Sequence, residues 1–295
     1  MHHIKATKPG NLNSPNGLLL FYENKYSNRI YCLEHDYNCY TFGNAVVVNP
    51  KIYPKLNFEV VGSCHGLICL SEEFYFDPIY VCNPVIGEYV RLPKAAKRTN
   101  YDIVSGLGFY QTLGSNTWRN LGDVSYPLYG KYSEAFVNGS LHWMTYKCVG
   151  CHFSELIISF DISIEEVIVV PPPPGYSEPS HYKDHSQSLG NLGGFLCLKD
   201  RLCGDDRLEI WIMKDYGVRS FWTKDYVICG QPSGLKNPFF PPHPLILLDS
   251  GNSVMQYNDT LGFYDPKSRT FKDFGIHKIP LRFKAIIHVG SFISL

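Results

Sequence analysis

The chain has 295 residues, in which 27 Lys and Arg balance 27 Asp and Glu, and aromatic residues make up 15%. That length is enough for one large domain with a substantial core. The balanced charge leaves no basic surplus for a nucleic-acid backbone, and apolar runs such as Ala285-Ile286-Ile287 fall far short of a membrane span.

The opening residues, MHHIKATKPGNLNSPNG, lack the apolar stretch of a secretory signal. Ten cysteines at irregular spacing are then expected to be reduced thiols of a protein of the cytoplasm or nucleus, not a disulfide framework. On the same reading the sequons at Asn138 and Asn258 go unused.

In chain order, short apolar runs alternate with turn residues, and no window holds a helical period over three turns. LLLF (18–21) follows Asn16-Gly17, and LICL (67–70) follows His65-Gly66. LHWM (141–144) follows Asn138-Gly139-Ser140, FLCL (195–198) follows Gly193-Gly194, and LILL (245–248) is the fifth run. Strand–turn–strand patterns come after three of these, with turns at 83–87, 161–164 and 265–268. Asn or Asp opens each of those turns, because its short side chain can bond the backbone two residues on. Each unit therefore reads as an inner strand after a glycine turn, followed by an outer hairpin.

The runs start at 18, 67, 141, 195 and 245, at intervals of 49, 74, 54 and 50. A period of about 50 residues with four strands per unit predicts an all-β, kelch-like β-propeller of about six blades spanning residues 1–295. The 74-residue interval is neither one period nor two, so one blade is expected to be incomplete near residues 106–122. The segment 283–295 is expected to pair beside the first unit and close the ring.

Several stretches carry chemistry-bearing residues. In VGSCHGLICL (61–70), Cys64 and His65 would point to opposite faces of a strand, which disfavours a nucleophile pair. His65-Gly66 instead fits a turn with positive φ, and Cys69, matched by Cys197 in a later unit, fits a small buried hydrophobe. Cys148-Val149-Gly150-Cys151-His152 matches a haem-attachment pattern and could hold an opportunistic metal, but it falls where a hairpin loop belongs. The prolines 171–174 suit either a polyproline ligand or, as preferred here, a connector between units. His181, Asp184 and His185 could ligate metal, although a solvated loop is the default. Trp118, Trp143, Trp211 and Trp222 are expected between sheets rather than as a sugar platform.

Several of these segments together resemble the plant F-box proteins with a C-terminal F-box-associated interaction domain. The resemblance rests on VVGSCHGLICL with YVCNPVIGEYVRLP (60–93), YQTLGSNTWRNLG (110–122), AFVNGSLHWMTY (135–146), LEIWIMKDYGVRSFWTK (208–224) and FKAIIHVGSFISL (283–295). It implies the substrate-recognition domain of an SCF-type (Skp–cullin–F-box) E3 ubiquitin ligase. Such a domain holds target proteins on one propeller face and is not an enzyme. The resemblance implies no catalytic residue, cofactor or metal, and it does not identify the binding residues. The chain starts with a segment resembling the one just after an F-box, so the Skp-type adaptor and cullin are expected partners only if an upstream F-box is restored. A strand pair usual in the family is missing where GLGF (106–109) meets YQTLGSNTW, and its loss should bare the apolar faces of both neighbouring blades. The competing readings are a propeller hydrolase, a glycan-binding module, and an orphan propeller that binds its target without ligase coupling. A hydrolase would need acids and histidines from several blades at the channel mouth, and a glycan binder exposed aromatic rings there.

Overall fold

Three hairpins reverse where a short side chain bends onto its own backbone. Asn83 Oδ1 accepts from the Val85 N–H at 3.0 Å, Asp161 Oδ1 from Ser163 at 2.8 Å, and Asp265 Oδ1 from Lys267 at 2.8 Å. Residues with positive φ sit where the turns need them, among them His65 at 49°, Asn138 at 50° and Arg269 at 55°. These turns are seen in a computed structural model, which describes residues 16–22, 29–36, 41–42, 46–48, 58–72, 79–92, 107–108, 126, 133, 135–149, 152–174, 185–202, 207–229, 242–248, 250–276 and 283–295.

Among the described residues, regular structure is all β-strand apart from one 3₁₀ turn, Arg219–Phe221. β1 (Asn16–Tyr22), β2 (Arg29–Asp36), β3 (Thr41–Phe42) and β4 (Val46–Val48) belong to the first sheet. β5 (Phe58–Cys64), β6 (Leu67–Glu72), β7 (Ile79–Asn83) and β8 (Glu88–Arg91) form the second. The third holds β9 (Ala135–Val137), β10 (Ser140–Val149), β11 (His152–Asp161) and β12 (Glu166–Val170). The fourth holds β13 (His185–Leu192), β14 (Phe195–Leu202), β15 (Arg207–Met213) and β16 (Trp222–Cys229). The fifth holds β17 (His243–Leu247), β18 (Ser253–Tyr257), β19 (Thr260–Asp265) and β20 (Thr270–Asp273). The final strand, β21 (Phe283–Val289), returns to the first sheet and runs antiparallel along all of β1, from Tyr22↔Phe283 to Asn16↔Val289.

β21 pairs beside the first unit, as expected of a closing strand. It also explains why Asn16-Gly17, a turn signal by its letters, lies inside a strand: the strand before it comes from the other end of the chain. The innermost strands touch in the order β9, β13, β17, β21, β5, which makes the arrangement a propeller. Its blade number departs from the expectation. The described residues form four four-stranded blades and a fifth sheet completed by β21, not about six blades.

A further expectation needs correction. The apolar runs at 67–70, 141–144 and 195–198 are second strands (β6, β10, β14), not inner ones. The innermost strands precede the glycine turns and carry small or polar residues such as Gly62, Ser63 and Gly190, because sheets converge near the axis and leave little room there. The second strand is sandwiched on both faces, and a continuous apolar run records that burial; the third strands β7 and β15 are nearly as buried. The run at 245–248, in contrast, falls on the innermost strand β17, and the true second strand of its blade is β18.

Apolar layers fill the spaces between sheets. Met144, Ile157 and Val170 meet Leu189, Leu196 and Leu198 between the third and fourth sheets. Ile210, Ile212 and Tyr226 meet Met255 and Tyr264 between the fourth and fifth. Leu245 and Val254 meet Phe283 and Ala285, and Ile30 meets Phe58, Ile68 and Tyr80. Full burial of such a side chain contributes about 1.5–3 kcal/mol, and an isolated four-stranded sheet would forgo it on both faces.

The suspected gap at 109–110 lies outside the described residues, but its flanks do not. Leu107 lies 3.4 Å from where a Cβ on Gly62 of β5 would be, and Gly108 lies against Phe136 and Ile162 of the third sheet. Cys69 and Val81 on the facing side of the second sheet are buried, and so are Leu141, Trp143 and Ile158 on the third. The neighbouring faces are therefore not bare. Leu107, Gly108 and Tyr126 supply part of the cover.

Candidate interaction surface

A four-stranded meander places its first and third connections at one end and its second at the other. At the first of these ends lie the turns 65–66, 84–87, 138–139, 162–165, 193–194, 214–221, 250–252 and 266–269. β21 also leaves its sheet there. The segment 290–295 then crosses the second blade: Ser291 Oγ donates to His65 O at 2.8 Å, and Asn83 Nδ2 donates to Ser291 O and Ile293 O at 3.0 and 2.9 Å. Ser294 Oγ and the Leu295 N–H both donate to Glu88 Oε2, and these bonds hold the Glu88 carboxyl below the usual carboxylate range. The crossing leaves Phe292 86% exposed beside the exposed Val85 and Ile86. Ile164 on the third blade and Val218 and Phe221 on the fourth are further exposed apolar residues in turns of this set.

Polar bridges fix neighbouring blades to one another. Buried His142 has its Nδ1 3.0 Å from Ala135 O, so that nitrogen carries the proton and Nε2 accepts from the Tyr216 hydroxyl at 2.7 Å. Trp222 Nε1 donates to Pro171 O at 2.8 Å, and Asn191 Nδ2 to Phe136 O at 2.8 Å. Lys199 Nζ reaches His243 Nδ1 at 3.0 Å across the fourth and fifth blades. Gln256 uses both ends of its amide on β21, donating to Phe283 O and accepting from the Ala285 N–H. His288 Nδ1 lies 3.1 Å from Ser63 Oγ between β21 and β5. Burial pushes both His142 and His288 down to about 4, so both are neutral near pH 7.

The residues singled out in the sequence scatter over this frame. His65 and Gly66 form a turn, and that turn is where the C-terminal segment docks, a role no local pattern announces. Burial pushes the Cys69 and Cys82 thiols up to about 12, which leaves them protonated and poor nucleophiles. Cys197 is buried among Leu192, Ile210 and Ile212. Cys148 and His152 lie at the closed end of the β10–β11 hairpin, whose last pair is Val149↔His152; their side chains, and Cys151, fall outside the described residues. Pro173 is buried and Pro171 bonds the next blade, as a connector would. His181, Asp184 and Trp118 lie outside the described residues, as does the side chain of His185. Trp143 and Trp222 are buried, and Trp211 is partly buried beneath Lys224, whose Nζ lies 4.7 Å from the ring centre.

The sequence singled out no carboxylate pair, yet Asp200 and Glu209 are buried cross-strand neighbours on β14 and β15. Both belong to one blade. Glu209 is bound by Arg207 at 2.5 Å and Lys224 at 2.6 Å, and Asp200 accepts from Gln187 at 3.3 Å. Carboxylates held this way steady a sheet face and are not arranged as an acid and base around a substrate. Among the described residues no group of three or more His, Cys, Asp or Glu is placed to hold a metal ion. The arrangement offers a rigid frame with apolar turn tips, which suits protein binding.

Comparison with known proteins agrees. Residues 110–260 match the F-box associated beta propeller domain. The chain is 31% identical to the F-box protein At3g07870 of Arabidopsis thaliana, over 79% of this chain and 70% of that one. It is 27% identical to the F-box protein CPR1 (80% and 68% covered) and 23% identical to the F-box/kelch-repeat protein At3g23880 (76% and 68%), both from the same plant. A solved structure of TolB from Acinetobacter baumannii is similar over 88% of this chain and 52% of its own, at 10% identity and a TM-score of 0.38, too loosely to add to the reading. An all-β propeller closed by its last strand, with this match across its middle and these relatives along most of its length, belongs to the F-box associated β-propeller domain family of plant F-box proteins.

Proposed function

We propose that this domain recruits target proteins for ubiquitination, as the substrate-recognition part of an SCF-type E3 ligase of the cytoplasm or nucleus. The observation that carries the reading is membership of the F-box associated family, with relatives named as F-box proteins. Its repeat is read as kelch-like from the spacing of about 50 residues and from the relative named for kelch repeats. In this role the domain does no bond chemistry. It holds the target through one propeller face while the cullin assembly brings ubiquitin close, raising the effective concentration of the target lysine. The balanced charge and apolar turn tips support a protein partner over nucleic acid. In this reading the Skp-type adaptor binds an F-box and not the propeller, as the relatives' names as F-box proteins suggest.

The test compares the 295-residue chain with the same chain fused behind an F-box. Both should capture the same target from plant extract, and only the fusion should retain the adaptor and support ubiquitination of that target. Adaptor binding by the propeller alone, or a captured target that the fusion leaves unmodified, would overturn the reading.

A further inference from the structure

Outer strands of a sheet carry unpaired backbone groups, and proteins guard them with charges, prolines or cover. Three of the four outer strands with described side chains follow that rule. Of apolar residues β8 exposes only Tyr89 and Val90, at 42% and 40%, between Glu88 and Arg91, with the C-terminal residues bonded to Glu88. β16 carries Lys224 and Asp225, and β20 carries Lys272 and Asp273. β12 does not. After Glu166 it presents Val167, Ile168 and Val169 at 41%, 44% and 44% exposure, with Ile164 exposed at the turn before it. Ser159 Oγ donates to Ile168 O, so that carbonyl faces β11. By alternation, the N–H and C=O of Val167 and Val169 face away from the sheet.

This edge is also held rigid. Asp161 accepts from the Ser163 amide and hydroxyl at 2.8 and 2.6 Å and from the Ile164 amide at 3.3 Å. At the other end, proline 171 has no N–H to offer and its carbonyl is taken by Trp222. A guest strand is therefore limited to the length of β12.

We propose that β12 binds an extended segment of the recruited protein, which adds as an antiparallel fifth strand to the third blade. The guest is a short apolar strand, rich in β-branched or aromatic residues, with a lysine or arginine facing Glu166. Charge selects that end, since Asp161 and Glu166 stand opposite one another there. Size argues against a second copy of this chain: pairing through five residues falls well below the roughly 1,200 Å² of a stable interface, whereas main-chain bonds suffice for a peptide. The proposal rests on the domain holding a target protein, and it adds the chemical class of the segment held.

The probe is a fluorescein-labelled heptapeptide of alternating threonine and valine with lysine at each end, titrated against the full chain without adaptor or ubiquitin. It should bind saturably. Val169→Pro, which removes an outward N–H that the sheet does not use, should weaken binding about fivefold, as should N-methylation of the central valine of the peptide. The unfolding midpoint checks that the variant folds, and Val169→Lys replaces it if it does not. A peptide ending in glutamates should bind less well. Equal binding by variant and wild type would overturn the proposal. So would a concentration-dependent dimer abolished by Val169→Pro, since the occupant would then be a second copy. If the variant loses the peptide yet still recruits the target, β12 is not the site while the domain's role stands.

Discussion

The side-chain amide of Asn83 donates to the carbonyl of Ser291 at 3.0 Å, across 208 positions of sequence. The same side chain shapes its own turn through Oδ1 and also donates to Ile293 O. One buried residue thus forms the outer hairpin of the second blade and ties down the chain that closes the ring.

Asn83→Ala should cost about 2–3 kcal/mol, since a buried side chain loses three hydrogen bonds. Asn83→Asp keeps the turn acceptor and loses the donors, so it should release residues 291–295 while leaving the turn formed. Amide exchange measured at Val85 and at Ile293 separates the two effects. Unchanged protection at Ile293 in Asn83→Asp would show that the segment is held by other contacts.

Gly66→Ala tests the other side of the same junction. Gly66 has φ +82°, and a Cβ there would fall 2.1 Å from Ser291 Oγ and 2.7 Å from Ser291 N. Gly139 occupies the matching turn of the third blade at φ +76°, with nothing within 4 Å of its Cβ position. Gly139→Ala should cost about 1–2 kcal/mol of backbone strain. Gly66→Ala should cost more, because it adds a collision with the closing segment. Equal losses in thermal midpoint would mean that the segment yields without cost.

Acid should weaken the fold well before the carboxylates titrate. An unfolded imidazole takes up a proton near pH 6.5, whereas His142 and His288 in the fold do so only near 4. Between these values the unfolded state binds more protons, so stability is full above pH 6.5 and declines as pH falls towards 4. At about 1.4 kcal/mol per pKa unit, each histidine accounts for a loss of about 3 kcal/mol at the acid end. Urea midpoints measured from pH 7.5 to 4.5 should fall, and His142→Gln should flatten the decline. A flat wild-type profile would contradict the burial of both rings.

Native protein treated with iodoacetamide at pH 8 should remain unmodified at Cys69 and Cys82, whose thiols are protonated and shielded. Both should react once urea unfolds the chain. Mass spectrometry of the digested protein gives the answer directly, and rapid native labelling of either residue would refute the buried assignment.

Much of the fold was legible because it depends on local chemistry. Asn83, Asp161 and Asp265 mark their hairpins through bonds to residues two positions on, and Asn138 and Gly139 mark a turn through backbone conformations that few other residues tolerate. The repeat of these signals revealed a propeller, and the residues at 135–146 and 208–224 revealed its family. Local signals did not identify which strand of a blade lies innermost, because second strands carry the strongest apolar runs and the run at 245–248 breaks that pattern.

What the amino-acid sequence determined by itself was the element type, the turns and the kinship of the chain. The tertiary structure decided the number of blades described, the pairing of β21 with β1, and the bridges from Asn83, His142, Gln256 and Lys199. It also decided that Asp200 and Glu209 share one blade, with Arg207 and Lys224 set against Glu209, and that β12 keeps an open apolar edge where charges guard β8, β16 and β20. The physical reason is distance along the chain. A turn is settled by neighbours two to four residues apart, whereas a blade interface joins groups such as Ser63 and His288 that become neighbours only when the ring closes.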